Sequence, residues 1–105
     1  MIIQLNADKN LTIHETYESQ ITEQLTKELA RYSGHITRVE VHLSDENGSK
    51  GGINDKKCLL EARFEGKPPI VTSDLGNTYD LALKGATEKL KHALTTIISK
   101  LQEKV

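Results

Sequence analysis

Ile36-Thr-Arg-Val-Glu-Val-His-Leu43 is the stretch of this sequence that decides the fold. Apolar and polar side chains alternate along it, which is the period of a β-strand with one face on a core and the other in water. The inward set is Val39, Val41 and Leu43, and the outward set is Arg38, Glu40 and His42. The stretch therefore predicts a sheet with one open, charged face.

The same alternation returns after a Gly- and Asn-rich segment at residues 45–56, which we interpret as a hairpin connection. This second strand places Cys58, Leu60, Ala62 and Phe64 inward, and Lys57, Leu59, Glu61, Arg63 and Glu65 outward. A turn at residues 66–69 leads into a short last strand at residues 70–72, and residues 1–6 have the composition of a first strand. The predicted sheet thus has four strands.

A first helix is predicted between the first two strands. Its apolar residues recur at spacings of four, four, four and three, and they are Tyr17, Ile21, Leu25, Leu29 and Tyr32. A capping box from Thr12 to Glu15, or a start at His14, opens this helix. Ser33-Gly34 is expected to end it, because glycine tolerates the left-handed closing conformation.

A second helix follows the last strand, with Asn77 or Asp74 as its expected cap. Its apolar stripe consists of Tyr79, Ala82, Leu83, Ala86, Leu90, Ala93, Leu94, Ile97 and Leu101. The element order is therefore β-α-β-β-β-α. Two helices can cover only one face of a four-stranded sheet, so we expect an α+β two-layer sandwich that forms a single domain over residues 1–105.

Composition excludes several classes of protein. The 105 residues contain 14 Lys and Arg against 15 Asp and Glu, for a net charge of −1, which is too small to force disorder. No apolar run approaches the roughly 18 residues that a membrane span needs. Absence of a secretion signal and the single Cys favour a reducing cytosol. We predict a cytoplasmic protein that contacts no membrane.

Catalytic and metal-binding patterns are missing from the sequence. The four His residues lie on different predicted elements with no i,i+4 pair, so no metal site and no cofactor is predicted. Cys58 points inward, where a buried and inert thiol is favoured over a reactive one. An enzyme that uses His42 or Cys58 is the least favoured interpretation, because no base, nucleophile and orienting group converge.

Cations on the open sheet face and on the last helix are the candidate binding residues. They are Arg38, His42, Lys57 and Arg63 on the sheet, and Lys84, Lys89 and Lys91 on the helix. Lys84 and Lys91 are seven residues apart, which predicts that they lie together on the outer face of the helix. Such residues either keep an exposed surface solvated or neutralise the phosphates of a nucleic acid. The net charge of −1 does not favour strong non-specific binding.

Three local strings, taken in order, resemble one protein family. They are Asn10-Leu-Thr-Ile13, Ile36-Thr-Arg-Val-Glu-Val-His-Leu43 and Thr78-Tyr-Asp-Leu-Ala-Leu-Lys-Gly-Ala-Thr-Glu-Lys-Leu90. The chain resembles the ribosome hibernation-promoting factors, also called ribosome-associated inhibitors or sigma-54 modulation proteins, in a divergent short form. Lys89 matches the Lys-Leu pair of the family's last helix.

The resemblance implies a β-α-β-β-β-α domain similar to double-stranded RNA-binding domains. It also implies binding to the small ribosomal subunit and its RNA, in the channel where messenger and transfer RNA bind. Translation in starved or stationary cells would stop by exclusion, without chemistry. The alternative is a protein-interaction module that kept the fold and no longer binds ribosomes.

The end of the last helix offers a second kind of contact. Over residues 78–102 the helix would be roughly 38 Å long at 1.5 Å per residue, about two turns longer than its sheet. Ile97, Ile98 and Leu101 lie on that overhang. These side chains have three alternative partners: the first helix, the ribosome, or a second copy of the chain in a homodimer. We favour self-association slightly over the other two.

Overall fold

The computed structural model describes residues 1–7, 14–46 and 55–103. Its elements in chain order are β1 (Ile2–Ala7), α1 (Glu15–Glu28), a 3-10 turn (Ala30–Tyr32), β2 (Ile36–Asp45), β3 (Lys56–Phe64), β4 (Ile70–Gly76) and α2 (Tyr79–Glu103). The predicted order β-α-β-β-β-α is confirmed. No helix within the described residues is long and apolar enough to cross a membrane.

The four strands form one mixed sheet in the order β1-β2-β3-β4. β1 runs parallel to β2, because α1 carries the chain back along the sheet between them, and the other two neighbouring pairs are antiparallel. Val39 lies between Ile3 of β1 and Ala62 of β3, so the inward positions of adjacent strands are in register. The predicted hairpin connection lies mostly outside the described residues, and where it is described Asp45 ends β2 and Lys56 begins β3.

The core lies between one face of the sheet and both helices, which confirms the α+β two-layer sandwich. Its buried apolar residues are Ile21, Leu25, Leu29, Tyr32, Ile36, Val39, Val41, Leu43, Cys58, Leu60, Ala62, Phe64, Ala82, Leu83, Ala86, Leu90 and Leu94. All the strand residues among them except Ile36 occupy the inward positions that the alternation predicts. Ile36 is buried because the register shifts between Ile36 and Arg38, which interrupts the alternation there. Within residues 1–7, 14–46 and 55–103, no helix covers the opposite face of the sheet.

The end of α1 differs from the prediction. The α-helix stops at Glu28, and the 3-10 turn that follows brings Tyr32 into the core, where its hydroxyl lies 2.8 Å from Thr95 Oγ1. Gly34 does not adopt a left-handed conformation, and among the described residues Gly66 is the glycine with a positive φ. The expectation for Gly34 was wrong because the tighter 3-10 turn already reverses the chain.

The two helix starts also differ in detail. His14 is the N-cap residue of α1 and makes no side-chain capping bond, while Thr12 lies outside the described residues. The residue before α2 is Thr78, and its Oγ1 accepts from the Leu81 N–H at 3.2 Å, so Thr78 rather than the expected Asn77 or Asp74 takes the N-cap position. Asp74 is still part of β4, which extends to Gly76 rather than ending at residue 72.

The end of α2 is not a bare overhang. Ile97, Ile98 and Leu101 are each partly buried and pack against the core cluster. Ile97 and Leu101 also line a cleft of about 230 Å³ with Lys67 and Pro68 of the β3–β4 turn. Part of the apolar surface that the sequence left unexplained is thus covered by the chain itself.

Candidate functional site

The open sheet face is the surface formed by the outward side chains of the four strands. Among the described residues, both helices pack on the opposite side of the sheet. Its members, strand by strand, are Ile2, Gln4, Asn6, Arg38, Glu40, His42, Ser44, Lys57, Leu59, Glu61, Arg63, Val71, Ser73 and Leu75. The predicted binding residues Arg38, His42, Lys57 and Arg63 all lie there, on the two central strands.

Charges on this face are arranged so that like side chains sit opposite each other, and unlike ones lie diagonally across the strands or two residues apart on one strand. Arg38 of β2 is paired in register with Arg63 of β3, and Glu40 is paired with Glu61. The Arg63 guanidinium lies 3.7 Å from a Glu40 oxygen and 3.8 Å from a Glu61 oxygen, and Arg38 Nε lies 3.9 Å from Glu40. Directly opposed like charges are unfavourable, so these three Arg–Glu contacts offset a local cost.

The other two sheet cations lie towards the end of the face where β2 and β3 meet their connection. Lys57 Nζ lies 3.3 Å from a Glu46 oxygen. His42 is half-buried beside a shallow cleft of about 190 Å³ that Lys57 and Asn6 also line. The sequence thus predicts correctly that the sheet cations share one surface with Glu40 and Glu61, although not which of these side chains meet across the strands.

The helix lysines lie outside this surface, although Lys89 lines a shallow cleft with its members Lys57, Ser73 and Leu75. Lys91 Nζ forms a 2.9 Å ion pair with Glu28, which ties α2 to α1, raises the pKa of Lys91 and lowers that of Glu28. Lys91 is therefore a half-buried inter-helix contact and not a solvated cation of the outer helix face, which corrects that prediction. Lys84 is exposed and has no ion pair among the described residues.

Lys89 lies at the edge of the sheet. Its ammonium donates to the Ser73 carbonyl at 3.0 Å and lies 3.5 Å from Asp74 Oδ1. Because Ser73 belongs to the outermost strand, Lys89 occupies part of the edge at which another strand could pair. It remains exposed enough to reach a ligand at that edge.

Two features of the site were not predicted. Val71 and Leu75 of β4 are 56% and 48% exposed, which places an apolar strip along one side of the open sheet face. Glu40, His42 and Glu61 have ligand atoms within 4.8 Å of one another, which is a possible metal-binding arrangement. The cross-strand register of β2 and β3 creates this second group, and spacing within one strand does not reveal it.

Cys58 is no part of a surface site. It is fully buried on the inward face, and burial raises the pKa of its thiol to about 12. A thiol is a poor nucleophile unless ionised. The predicted buried position is confirmed.

Comparisons with known proteins identify relatives of the chain. A family model described as "Sigma 54 modulation protein / S30EA ribosomal protein" matches residues 6–102. Among solved structures, a ribosomal subunit interface protein from Coxiella burnetii has a similar fold, with a TM-score of 0.71 and 17% identity over 94% of this chain and 99% of that chain. The Thermus thermophilus Protein Y N-terminal domain gives a TM-score of 0.72 and 16% identity over 92% of this chain and 99% of that chain. A comparison with curated proteins finds no match.

Proposed function

Because the chain belongs to the sigma-54 modulation protein / S30EA ribosomal protein family, we propose that it binds the small ribosomal subunit and stops translation by occupying it. The family match confirms the resemblance predicted from the sequence, and it identifies a ribosome-associated factor. Small-subunit binding, inhibition, a role in stress or stationary phase and a place in the cytoplasm with the ribosomes are parts of the proposal. Occupancy needs no reaction and no cofactor.

The observation that carries the proposal is the open sheet face with its central cations. Arg38 and Arg63 face each other across two hydrogen-bonded strands, and Lys57 lies further along the same strand. Two guanidinium groups on neighbouring strands suit RNA phosphates, because each can donate two parallel hydrogen bonds. We propose Arg38, Lys57, Arg63 and His42 as the main RNA contacts.

The neighbouring carboxylates affect how tightly such a surface binds. Distances of 3.7–3.9 Å between the Arg and Glu side chains are long for charge-assisted hydrogen bonds, so exchanging them for phosphate contacts costs little. The carboxylates nevertheless reduce the positive potential of the face. Binding should therefore depend on a shape-matched site rather than on non-specific attraction to any RNA.

The helix lysines have secondary parts in the proposal. Lys84 is exposed and free of ion pairs among the described residues, so it is available for a second RNA contact. Lys89 can reach a phosphate near β4 if it gives up the Ser73 carbonyl. Lys91 would have to leave Glu28, and its expected contribution is the smallest of the three.

Co-sedimentation with isolated small and large ribosomal subunits tests the proposal. The informative variant is Arg38→Gln with Arg63→Gln, because Glu at both positions would gather four carboxylates and disturb the sheet. We expect binding to the small subunit only, and at least a tenfold loss in the double variant, since each charged contact is worth about 1.5–3 kcal/mol. Between roughly 50 and 200 mM salt, affinity should fall by about two decades for three or four phosphate contacts.

The matched control is Lys27→Gln with Lys67→Gln, which removes the same charge from exposed positions off the sheet face. It should bind like the wild type. Equal loss in both double variants would show a general charge effect, and no loss in the arginine variant would refute the sheet-face contact. Translation assays with the same proteins should follow binding, because the proposed inhibition is by exclusion.

The apolar strip of Val71 and Leu75 favours one alternative function. Exposed aliphatic side chains on a sheet face commonly meet another protein, and the net charge of −1 does not favour RNA. A protein-interaction module that no longer binds ribosomes would use this strip. Such a module would bind a protein partner with little dependence on salt. Its binding would be lost in Val71→Ser with Leu75→Ser and kept in the arginine variant.

A further inference from the structure

We propose that Glu40, His42 and Glu61 form a binding site for a divalent transition-metal ion, of the Zn²⁺ class, at the centre of the open sheet face. One ligand atom from each residue lies within 4.8 Å of the other two. The inference concerns this chain alone and does not depend on ribosome binding.

Position on the sheet makes the three side chains a preformed group. Glu40 and His42 are two residues apart on β2 and project from the same face, and Glu61 is the register partner of Glu40 on β3. Ligands on a tetrahedral Zn²⁺ ion, at bond lengths of about 2.0–2.1 Å, lie roughly 3.4 Å apart. The ligand atoms, now within 4.8 Å of one another, would move to that distance by rotation of the three side chains.

The electrostatics of the face also favour a cation there. Glu40 and Glu61 are opposed like charges whose side chains are only 19% and 26% exposed. Their arginine contacts of 3.7–3.9 Å compensate this repulsion incompletely, since they exceed the length of a charge-assisted hydrogen bond. A divalent ion between the carboxylates would neutralise both at once.

The donor set selects the kind of metal. An imidazole nitrogen with carboxylate oxygens suits Zn²⁺ and its neighbours, whereas Mg²⁺ prefers six oxygen ligands in octahedral geometry. Three protein ligands leave a fourth position open on the solvent side, where water completes a tetrahedron. The ion would stay at the surface, on strands that hold its ligands rigidly.

Calorimetric titration of the purified chain with Zn²⁺ tests the site, with Mg²⁺ as the competing probe. We expect one Zn²⁺ per chain with micromolar affinity, no comparable binding of Mg²⁺, and perturbation of the His42 ring signals in NMR spectra. His42→Ala should weaken Zn²⁺ binding at least about tenfold. His92→Ala is the matched control, because His92 is exposed on α2 away from the site, and it should bind like the wild type.

A second variant protects the test against misfolding. Glu40→Gln with Glu61→Gln keeps the size of both side chains, removes the opposed charges and should weaken binding by at least the same factor. The proposal is overturned by the absence of Zn²⁺ binding, by equal affinity in wild type and both site variants, or by an equal loss in His92→Ala. Because ribosomes are not present in the titration, its failure leaves the proposed function intact.

Discussion

Cys58 shows at the residue scale how burial sets chemistry. Its thiol is fully buried between the sheet and the helices, and the pKa is raised to about 12. A shift from the ordinary value of about 8.5–9 lowers the thiolate fraction at neutral pH by about a thousandfold. The native thiol is thus protected from modification in two ways: its raised pKa keeps it protonated, and its burial keeps reagents away.

We predict that a disulfide reagent at pH 8 will modify the folded protein at least about a hundredfold more slowly than the unfolded chain. Absorbance of the thiolate that the reagent releases measures the rate of modification. A sample unfolded in denaturant gives the reference rate. A native rate close to the reference would show that the sheet and helices open around Cys58 far more often than this core implies.

Single residues also show what the sequence could predict of the candidate site. Alternation in β2 and β3 placed Arg38, His42 and Arg63 on one face, because the period of a strand is fixed by its geometry. The pairing of Glu40 with Glu61 depends instead on the register of β2 against β3. The length of the segment that joins the two strands does not determine this register. The ion pairs and the candidate metal group therefore required the structure.

Close packing of β4 and α2 is the clearest feature at the scale of elements. A Cβ atom at Gly85 of α2 would collide with the carboxylate of Asp74, and one at Gly76 would lie 2.9 Å from the Ala82 backbone nitrogen. Asp74 is held there by its own contacts to the Leu75 N–H and to Lys89. Both glycines thus lie where a side chain would keep the two elements apart.

We predict that Gly85→Ala will destabilise the protein by about 1–3 kcal/mol, although alanine in a helix interior normally gains about 1 kcal/mol over glycine. Chemical denaturation measures the change. Gly34→Ala is the control, because a Cβ there meets nothing within 4 Å.

Adding Asp74→Ala to Gly85→Ala should recover part of the loss, since it removes the atoms with which the new methyl collides. A stability increase in Gly85→Ala alone, or purely additive effects in the double variant, would contradict the proposed contact.

Element boundaries were predicted less well than the elements themselves. The stripe from Tyr17 to Tyr32 fits one continuous helix, but the structure divides it into an α-helix and a 3-10 turn. The residues that close β4, Ser73 to Gly76, have turn-like composition, yet pairing with β3 keeps them extended. Local propensity favoured the wrong boundaries because tertiary contacts decide them.

At the scale of the whole molecule, the end of α2 raises the question of oligomeric state. Ile97, Ile98 and Leu101 are only partly covered by the chain itself, so the homodimer stays a prediction. We expect the wild type to scatter light as a species heavier than one chain at micromolar concentration. Ile98→Glu with Leu101→Glu should restore the mass of a single chain, because a buried carboxylate opposes pairing.

Lys84→Glu is the control for charge, since Lys84 is exposed near the start of α2, away from this helix end. Circular dichroism must show that the double variant remains folded. A monomeric mass for the wild type would refute the homodimer. The end of α2 would then pack within its own chain or contact the ribosome.

The placement of β1 makes the stability of the molecule uneven. This strand lies at an edge of the sheet, its hydrogen bonds run to β2 alone, and none of its six residues is fully buried. Local opening free energies follow buried contacts, so among the described strands we expect β1 to separate most readily from the native state while β2, β3, β4 and α2 stay assembled. Each such excursion frees the backbone amides of β2 beside Arg38 and His42. The surface that we assign to RNA therefore borders the part of the domain that exchanges with solvent first.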